Sequence, residues 1–489
     1  MEKYLIGIDQ STQGTKAILF SADGKMIARA DRPHKQYIDE KGWVEHDGCE
    51  IYDNTLAAVK EVMEKSGIPE EAVAGVGISN QRETSIAWDK KTGLPVFHAV
   101  VWQCTRGAEL CRRLDRDGFG ERVREKTGLP LSPYYSAAKL GWILENVAEA
   151  RALADKDEMA VGTMDSYLLY RLTGGKAFKT DYSNASRTQL LNIGALEWDT
   201  EIAEAFGLPL SSLPELCDSD GYFGETDFDG LFKNPLPIHA MLGDSHAALY
   251  GHGCFEKGMA KVTYGTGSSI MMNVGDKDVR NDKGLVTSVA FKTDGRISYC
   301  LEGNINYSAA IVTWLKNDLN LIETPGESEE MAREANPADR TYLVPAFTGL
   351  GAPYYRDDVS AAFLGMSRNT GRKELVKACL EAIVYQITDV VKLMQDAMGE
   401  AHIELRADGG ASRNGWLMQR QADILQDTVR VSEEGELSAK GAAMCAAKAL
   451  KVIASGSEDA PRTSYHPVMD KKEAKEKYQG WQEAVNSLL

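Results

Sequence analysis

A strand, a small-residue polar turn and a returning strand open this chain, and the same unit recurs in its second half. Residues 4–8 form an apolar run, residues 9–15 are rich in Gly, Ser and Thr, and residues 16–20 return to an extended apolar pattern. Asp23-Gly24 adds a hairpin signal before another short strand at 26–30. This predicts a β-meander and excludes the strand–helix opening of a dinucleotide-binding fold. After about residue 235, an apolar run at 238–242 ends in Gly243-Asp244-Ser245-His246, and a strand at 261–264 ends in Gly265-Thr266-Gly267-Ser268-Ser269. A strand at 270–274 follows at once.

Apolar spacing predicts helices at 50–66 and 106–114, and a strand at 72–78 that delivers Ser79-Asn80-Gln81-Arg82-Glu83-Thr84 to its end. Residues 86–88 and 99–102 read as further strands. In the second half, a long helix at 375–398 precedes a strand at 403–407 ending in Asp408-Gly409-Gly410-Ala411-Ser412. Helices are expected at 417–425, 440–450 and 471–489. The alternation implies an α/β protein of two similar halves, 1–250 and 251–489. The placement of the turns suggests a duplicated architecture, although residue identity between the halves is too weak to prove a repeat.

With 55 Lys and Arg against 72 Asp and Glu, the net charge is −17, which argues against a nucleic-acid partner. The eight cysteines form neither a C-x-x-C pair nor a zinc-finger spacing and read as free thiols in a reducing compartment. No basic segment leads into an apolar core at the N-terminus, and no run of about 18 apolar residues is long enough for a membrane span. A cytoplasmic enzyme without a membrane partner is the expectation.

Three small-residue loops at strand ends carry the first chemical argument. In Asp9-Gln10-Ser11-Thr12-Gln13-Gly14-Thr15-Lys16, backbone N–H groups and hydroxyls can approach phosphate oxygens, Lys16 adds a cation, and Asp9 suits a hydrated Mg²⁺. A polar hairpin turn explains this loop equally well when it is taken alone, and it is not a Walker P-loop. With the loops at 265–269 and 408–414 it suggests a nucleotide held between two domains. Arg82 and Glu83 offer a donor and an acceptor for neighbouring hydroxyls, and Trp102 and Tyr134 an apolar wall for a small polyol. An exposed ion pair and core aromatics are the alternative for any one of them. Asp244, following Leu242-Gly243, is the candidate general base, taking the proton of a hydroxyl that attacks a γ-phosphate. His246 reads as a packing residue.

These motifs resemble the FGGY carbohydrate kinases of the actin-like ATPase superfamily, and most of all the glycerol kinases among them. The resemblance spans nearly the whole chain and is carried by residues 42–47 (Gly-Trp-Val-Glu-His-Asp), 79–84, 101–104 (Val-Trp-Gln-Cys), 180–187 (Thr-Asp-Tyr-Ser-Asn-Ala-Ser-Arg), 263–267 and 344–354. It implies two ribonuclease-H-like domains closing over a cleft, and ATP-dependent phosphorylation of a terminal hydroxyl of a small polyol or sugar. It assigns the acceptor to Arg82, Glu83, Trp102, Tyr134 and Asp244, with Asp244 as the base. It assigns the nucleotide to Thr12, Gln13, Gly14, Lys16, Thr266, Gly267, Gly410 and Asn414, and Mg²⁺ to Asp9.

Several positions depart from that pattern. Ser245 stands where a Gln is usual after the base, and Ser269 where a Phe follows Gly-Thr-Gly. Ser11 replaces a turn Gly, Thr105 an Arg, and Ala309 and Thr313 a Gly and a Gln. Residues 227–237 hold no match to the Gly-rich loop used for sugar-bisphosphate inhibition. Losing the aromatic at 269 predicts a wider pocket. Glycerol is therefore the first acceptor expected, and a four- or five-carbon polyol or ketose such as erythritol or xylulose the second. An actin-like ATPase switch without a hydroxyl acceptor is the alternative of a different class. The resemblance leaves a homo-oligomer open.

Overall fold

The computed structural model describes residues 2–281, 283–399, 402–453 and 462–489. The opening meander forms as expected. Tyr4–Gln10, Gly14–Ser21 and Met26–Pro33 pair antiparallel in succession, and Tyr4–Gln10 also pairs parallel with Val73–Asn80, which pairs parallel with Leu236–Gly243. Gly224–Thr226 closes this six-stranded sheet. In the second half Met259–Tyr264 pairs antiparallel with Ser268–Gly275, and that strand with Arg296–Ile305. Met259–Tyr264 also pairs parallel with Glu404–Asp408, which pairs parallel with Val429–Ser432. Both sheets therefore share a five-strand unit, three antiparallel strands of which the first in the chain is extended by two parallel neighbours, and the second sheet adds Val286–Thr293 outside Arg296–Ile305. This is the ribonuclease-H-like arrangement of the actin-like ATPase fold, and it displays in topology the repeat that residue identity conceals.

Two helices join the sheets. Asp244–Gly251 leaves the end of Leu236–Gly243, and Leu437–Ala449 from the second half of the chain lies on the first sheet and against Asp244–Gly251. Glycines permit the approach. A Cβ at Gly77 would stand 2.1 Å from the Ala442 carbonyl oxygen, and one at Gly441 would stand 1.9 Å from that of Ala247. Backbone meets backbone there with no room for a methyl group. The apolar faces bury Ile6, Ile8, Val76, Ile78 and Met241 in the first half, and Val262, Ile270, Leu301, Leu405 and Ala407 in the second.

Sequence expectation and structure differ in the middle of the chain. The strand expected at 99–102 covers only Ala99–Val100, so Trp102 stands on a turn. Between residues 115 and 235, helices Phe119–Thr127, Ser136–Asn146 and Met164–Leu172 and strand Met159–Thr163 form where no element was expected. Met159–Thr163 joins Ser85–Asp89 in a separate five-stranded sheet whose pairings link segments far apart in sequence. Such non-local pairing leaves little local pattern to read.

Candidate active site

Arg82, after the central parallel strand of the first sheet, pairs with Glu302 of the second, so the two sheets face each other there. Register aligns Gln10, Asn80 and Gly243 at the tips of the first sheet and Thr263 with Asp408 in the second, so each sheet ends its parallel strands together, at the edge where open α/β sheets bind ligands. One cavity of about 440 Å³ is walled by Ser11, Thr12, Gln13, Gly14, Thr15 and Lys16 together with Asp244, although Asp244 lies more than two hundred residues along the chain. Thr266, Gly267, Gly410 and Asn414 lie outside that wall, on the loops that end the second sheet. Thr266 and Gly410 are exposed. In the loop ahead of the helix expected at 417–425, Gly410–Arg413 forms a 3₁₀ turn, and Asn414 caps the helix Gly415–Leu425 by accepting from Leu417 N at 2.9 Å.

Asp9 is buried at the end of its strand. Ser79 Oγ donates to its Oδ1 at 2.9 Å, and Lys16 Nζ stands 3.8 Å from its Oδ2. Burial pushes its pKa up to about 6 against the pull of Lys16. Lys16 is held more closely by Glu436, at 2.7 Å, and Arg29 reaches the same carboxylate at 2.6 Å.

Asp244 begins its helix with the side chain about one-third exposed. Its Oδ1 accepts from Ser245 N at 2.6 Å and lies 3.2 Å from Arg82 Nε, out of line for a hydrogen bond. Ser438 Oγ, on the helix Leu437–Ala449, donates to the Asp244 carbonyl oxygen at 3.0 Å. His246 is buried, with Nε2 3.2 Å from Ser288 Oγ. That matches its packing assignment.

Arg82 and Glu83 are buried, so the exposed ion pair that was their alternative reading is absent. Both terminal guanidinium nitrogens of Arg82, Nη1 and Nη2, donate to Glu302 at 2.8 Å, a bidentate pair. Arg187 donates from Nε to Glu83 Oε1 at 2.6 Å and sets Nη1 3.0 Å from Glu302 Oε2. Glu302 therefore bridges two arginines at the cleft floor. Burial alone would raise its pKa, but Arg187 and Arg82 hold it well below the usual carboxylate range. Glu83 keeps a left-handed backbone at φ 59°, a conformation costing about 1–3 kcal/mol that surrounding contacts must hold. Ser136 Oγ and Ser85 Oγ both donate to its carbonyl oxygen, at 3.2 and 2.9 Å.

Trp102 and Tyr134 meet edge to face with ring centres 5.7 Å apart, and Trp102 Nε1 donates to Thr12 Oγ1 at 2.9 Å. The aromatic wall is thereby tied to the 9–16 loop. Behind Tyr134 opens the larger cavity, about 810 Å³, also lined by Tyr135, Arg187, Glu302, Asn304 and Tyr355. Ser269 faces the second sheet's end, where its Oγ accepts from Lys261 Nζ at 3.2 Å. Sequence reasoning left out Glu302 and gave Arg187 no role. The signal was local for Arg187, within the 180–187 stretch, whereas Glu302 sits in an ordinary strand and only its burial reveals it.

The sequence matches the FGGY family of carbohydrate kinases over both parts, the N-terminal domain over residues 4–251 and the C-terminal domain over residues 260–450. It is 47% identical to glycerol kinase 1 of Thermotoga maritima, over 99% of each chain. It is 41% identical to glycerol kinase of Bacillus subtilis, over 100% of this chain and 99% of that one. The structure superposes on Plasmodium falciparum glycerol kinase with ADP at a TM-score of 0.93, with 32% identity, covering 100% of this chain and 98% of that chain. Xylulose kinase from Lactobacillus acidophilus, at 21% identity and a TM-score of 0.88 over 99% and 98% of the two chains, shares the fold. With matched domains together spanning most of its length, this chain belongs to the FGGY family of carbohydrate kinases.

Proposed function

We propose that this ATP-dependent kinase transfers the γ-phosphoryl group to a terminal hydroxyl of glycerol, giving glycerol 3-phosphate. One observation carries the reading: Asp244 stands in the wall of the cavity built by the Thr12, Gln13, Gly14 and Lys16 loop. An alcohol whose proton passes to that carboxylate is already beside the place the loop prepares for phosphate. Full-length likeness to glycerol kinases supports glycerol as the alcohol. In this reading Arg82 and Glu83 orient the acceptor hydroxyls, and Trp102 and Tyr134 cover its carbon face. Thr12, Gln13, Gly14 and Lys16 hold phosphates, while Thr266, Gly267, Gly410 and Asn414 hold the rest of the nucleotide from the second sheet. We place the change of domain at about residue 250, supported by the new sheet that opens at Met259. The helix Leu437–Ala449 is the exception, packing back on the first sheet.

Asp9 fits a Mg²⁺ ion. Its carboxylate is buried with a single hydroxyl donor and a lysine no closer than 3.8 Å, an oxygen ligand short of positive charge. Among the described residues no group of three His, Cys, Asp or Glu gathers as a metal cage, so water and phosphate oxygens would complete the shell. The ion would supply charge neutralisation at the phosphates. The chain's own contribution is positioning, a base at Asp244 and exclusion of water as the halves close. Among the described residues no helix is long and apolar enough to cross a membrane.

ADP release measured with glycerol, erythritol, xylitol, ribulose, xylulose and no acceptor tests the reading. Glycerol-dependent release is expected. Equal release without acceptor would mean an ATPase switch, and xylulose ahead of glycerol would mean a larger acceptor. Ser269 separates these further. Ser269→Phe is expected to narrow the acceptor site and shift kcat/KM toward glycerol relative to erythritol and xylitol. An unchanged ranking would remove Ser269 from the acceptor wall.

A further inference from the structure

Among the described residues Lys261 is a buried lysine whose Nζ has no carboxylate partner. Register places Glu302, Met271, Lys261 and Arg406 side by side across the second sheet, and Asn304, Ser269, Thr263 and Asp408 in the next row toward the strand ends. Residues two apart share a face, so both rows look the same way. The outer row lies at the carboxyl ends of Met259–Tyr264 and Glu404–Asp408, immediately before the 265–267 and 409–410 loops. Lys261 is 1% exposed, and its side chain runs along this face to the outer row. There its Nζ donates to Thr263 Oγ1 at 3.3 Å and to Ser269 Oγ at 3.2 Å.

Two neutral hydroxyls are weak company for an ammonium, which carries three donors. Lys139 and Lys377, also buried, each donate to two backbone carbonyls. Arg406, beside Lys261 in its row, is paired with Glu404. Among the described residues no carboxylate oxygen stands within 4.0 Å of Lys261 Nζ. Burial lowers the Lys261 pKa; Asp408 and Glu302 favour the charged form from farther off, Arg82 opposes it, and Asp244 favours it more weakly. A desolvated charge with no close partner is costly to keep and needs an anion to settle it. Its place at the ends of the strands that carry the 265–267 and 409–410 loops selects that anion.

Resting on the kinase reading, we propose that Lys261 meets the terminal phosphate of the bound triphosphate, with Thr263 and Ser269 aiming its Nζ at the strand ends. The contact discriminates ATP from ADP. Lys261→Met keeps the length of the stem and removes the charge. Its affinity for a nonhydrolysable ATP analogue, measured by calorimetry with Mg²⁺ and no acceptor, is expected to fall about ten- to a hundredfold. Affinity for ADP should stay within about twofold of the unaltered protein, and Lys261→Arg should recover part of the loss.

A structural role would shift the melting temperature and leave the ATP-to-ADP affinity ratio unchanged, and that result overturns the proposal. Should Lys261→Met fail to fold, Thr263→Val combined with Ser269→Ala keeps the cation and removes its guides. That pair is expected to lower the same ratio several-fold, and an unchanged ratio again overturns the proposal. Failure of the kinase reading looks different, because the unaltered protein would then show no acceptor-dependent ADP release.

Discussion

Asp244→Asn is expected to lower kcat with glycerol by about 10²- to 10⁴-fold, the range by which a positioned general base accelerates proton transfer. ADP affinity should hardly move. Asn occupies the same volume, and its amide oxygen can still accept from Ser245 N, as Asp244 Oδ1 does at 2.6 Å. Arg82 loses an unaligned neighbour at 3.2 Å but keeps both bonds to Glu302. The Ser438 bond to the residue 244 carbonyl oxygen belongs to the backbone and survives. The substitution therefore removes proton acceptance with little else, so kcat should fall more than KM rises. Turnover within about threefold of the unaltered enzyme would remove Asp244 from its role, since it lies far below the range for a lost base.

Part of the site was legible because its residues travel in short runs. The loops 9–16, 265–269 and 408–414 each follow an apolar strand with small residues, and local propensity and position agree there. Asp244 was legible by the same device, a polar residue at the end of the apolar run 238–242. The repeat was visible in the placement of turns and invisible in residue identity, because topology depends on apolar pattern and turn chemistry and tolerates many sequences.

The rest was hidden for a physical reason. Glu302 lies mid-strand between Leu301 and Gly303 with no motif around it, and its charge is intelligible only once Arg82 and Arg187 arrive from more than one hundred residues away. Lys261 looks like any strand lysine until its burial is known. The five-stranded sheet carrying Met159–Thr163 draws its order from contacts between distant segments. The burial of Arg82 and Glu83, which sets aside the exposed pair that was their alternative, was hidden on the same ground, for the neighbours that bury them lie elsewhere in the chain.

Glu302→Leu is expected to destabilise the protein by about 3–5 kcal/mol, the cost of breaking a buried ion pair from one side. Arg82 and Arg187 are 6% and 1% exposed, so neither guanidinium can turn to water when the carboxylate goes. Arg187 would retain Glu83, and Arg82 would retain only Asp244 at 3.2 Å. The urea midpoint at pH 7 reads the loss. The sign of its pH dependence follows from the depressed pKa of Glu302. Such a group contributes stability that is fully present above its unfolded value, near 4.5, and is lost only as pH falls through the lower folded value. The gap between variant and unaltered protein should therefore be constant from pH 8 to about 5 and narrow only in stronger acid. Adding Arg82→Met to Glu302→Leu removes the guanidinium left without its bidentate partner and should recover part of the stability without restoring activity. If the single variant unfolded at the unaltered midpoint, the two arginines would be reaching solvent or another anion, and Glu302 would not be the bridge that fixes the cleft floor.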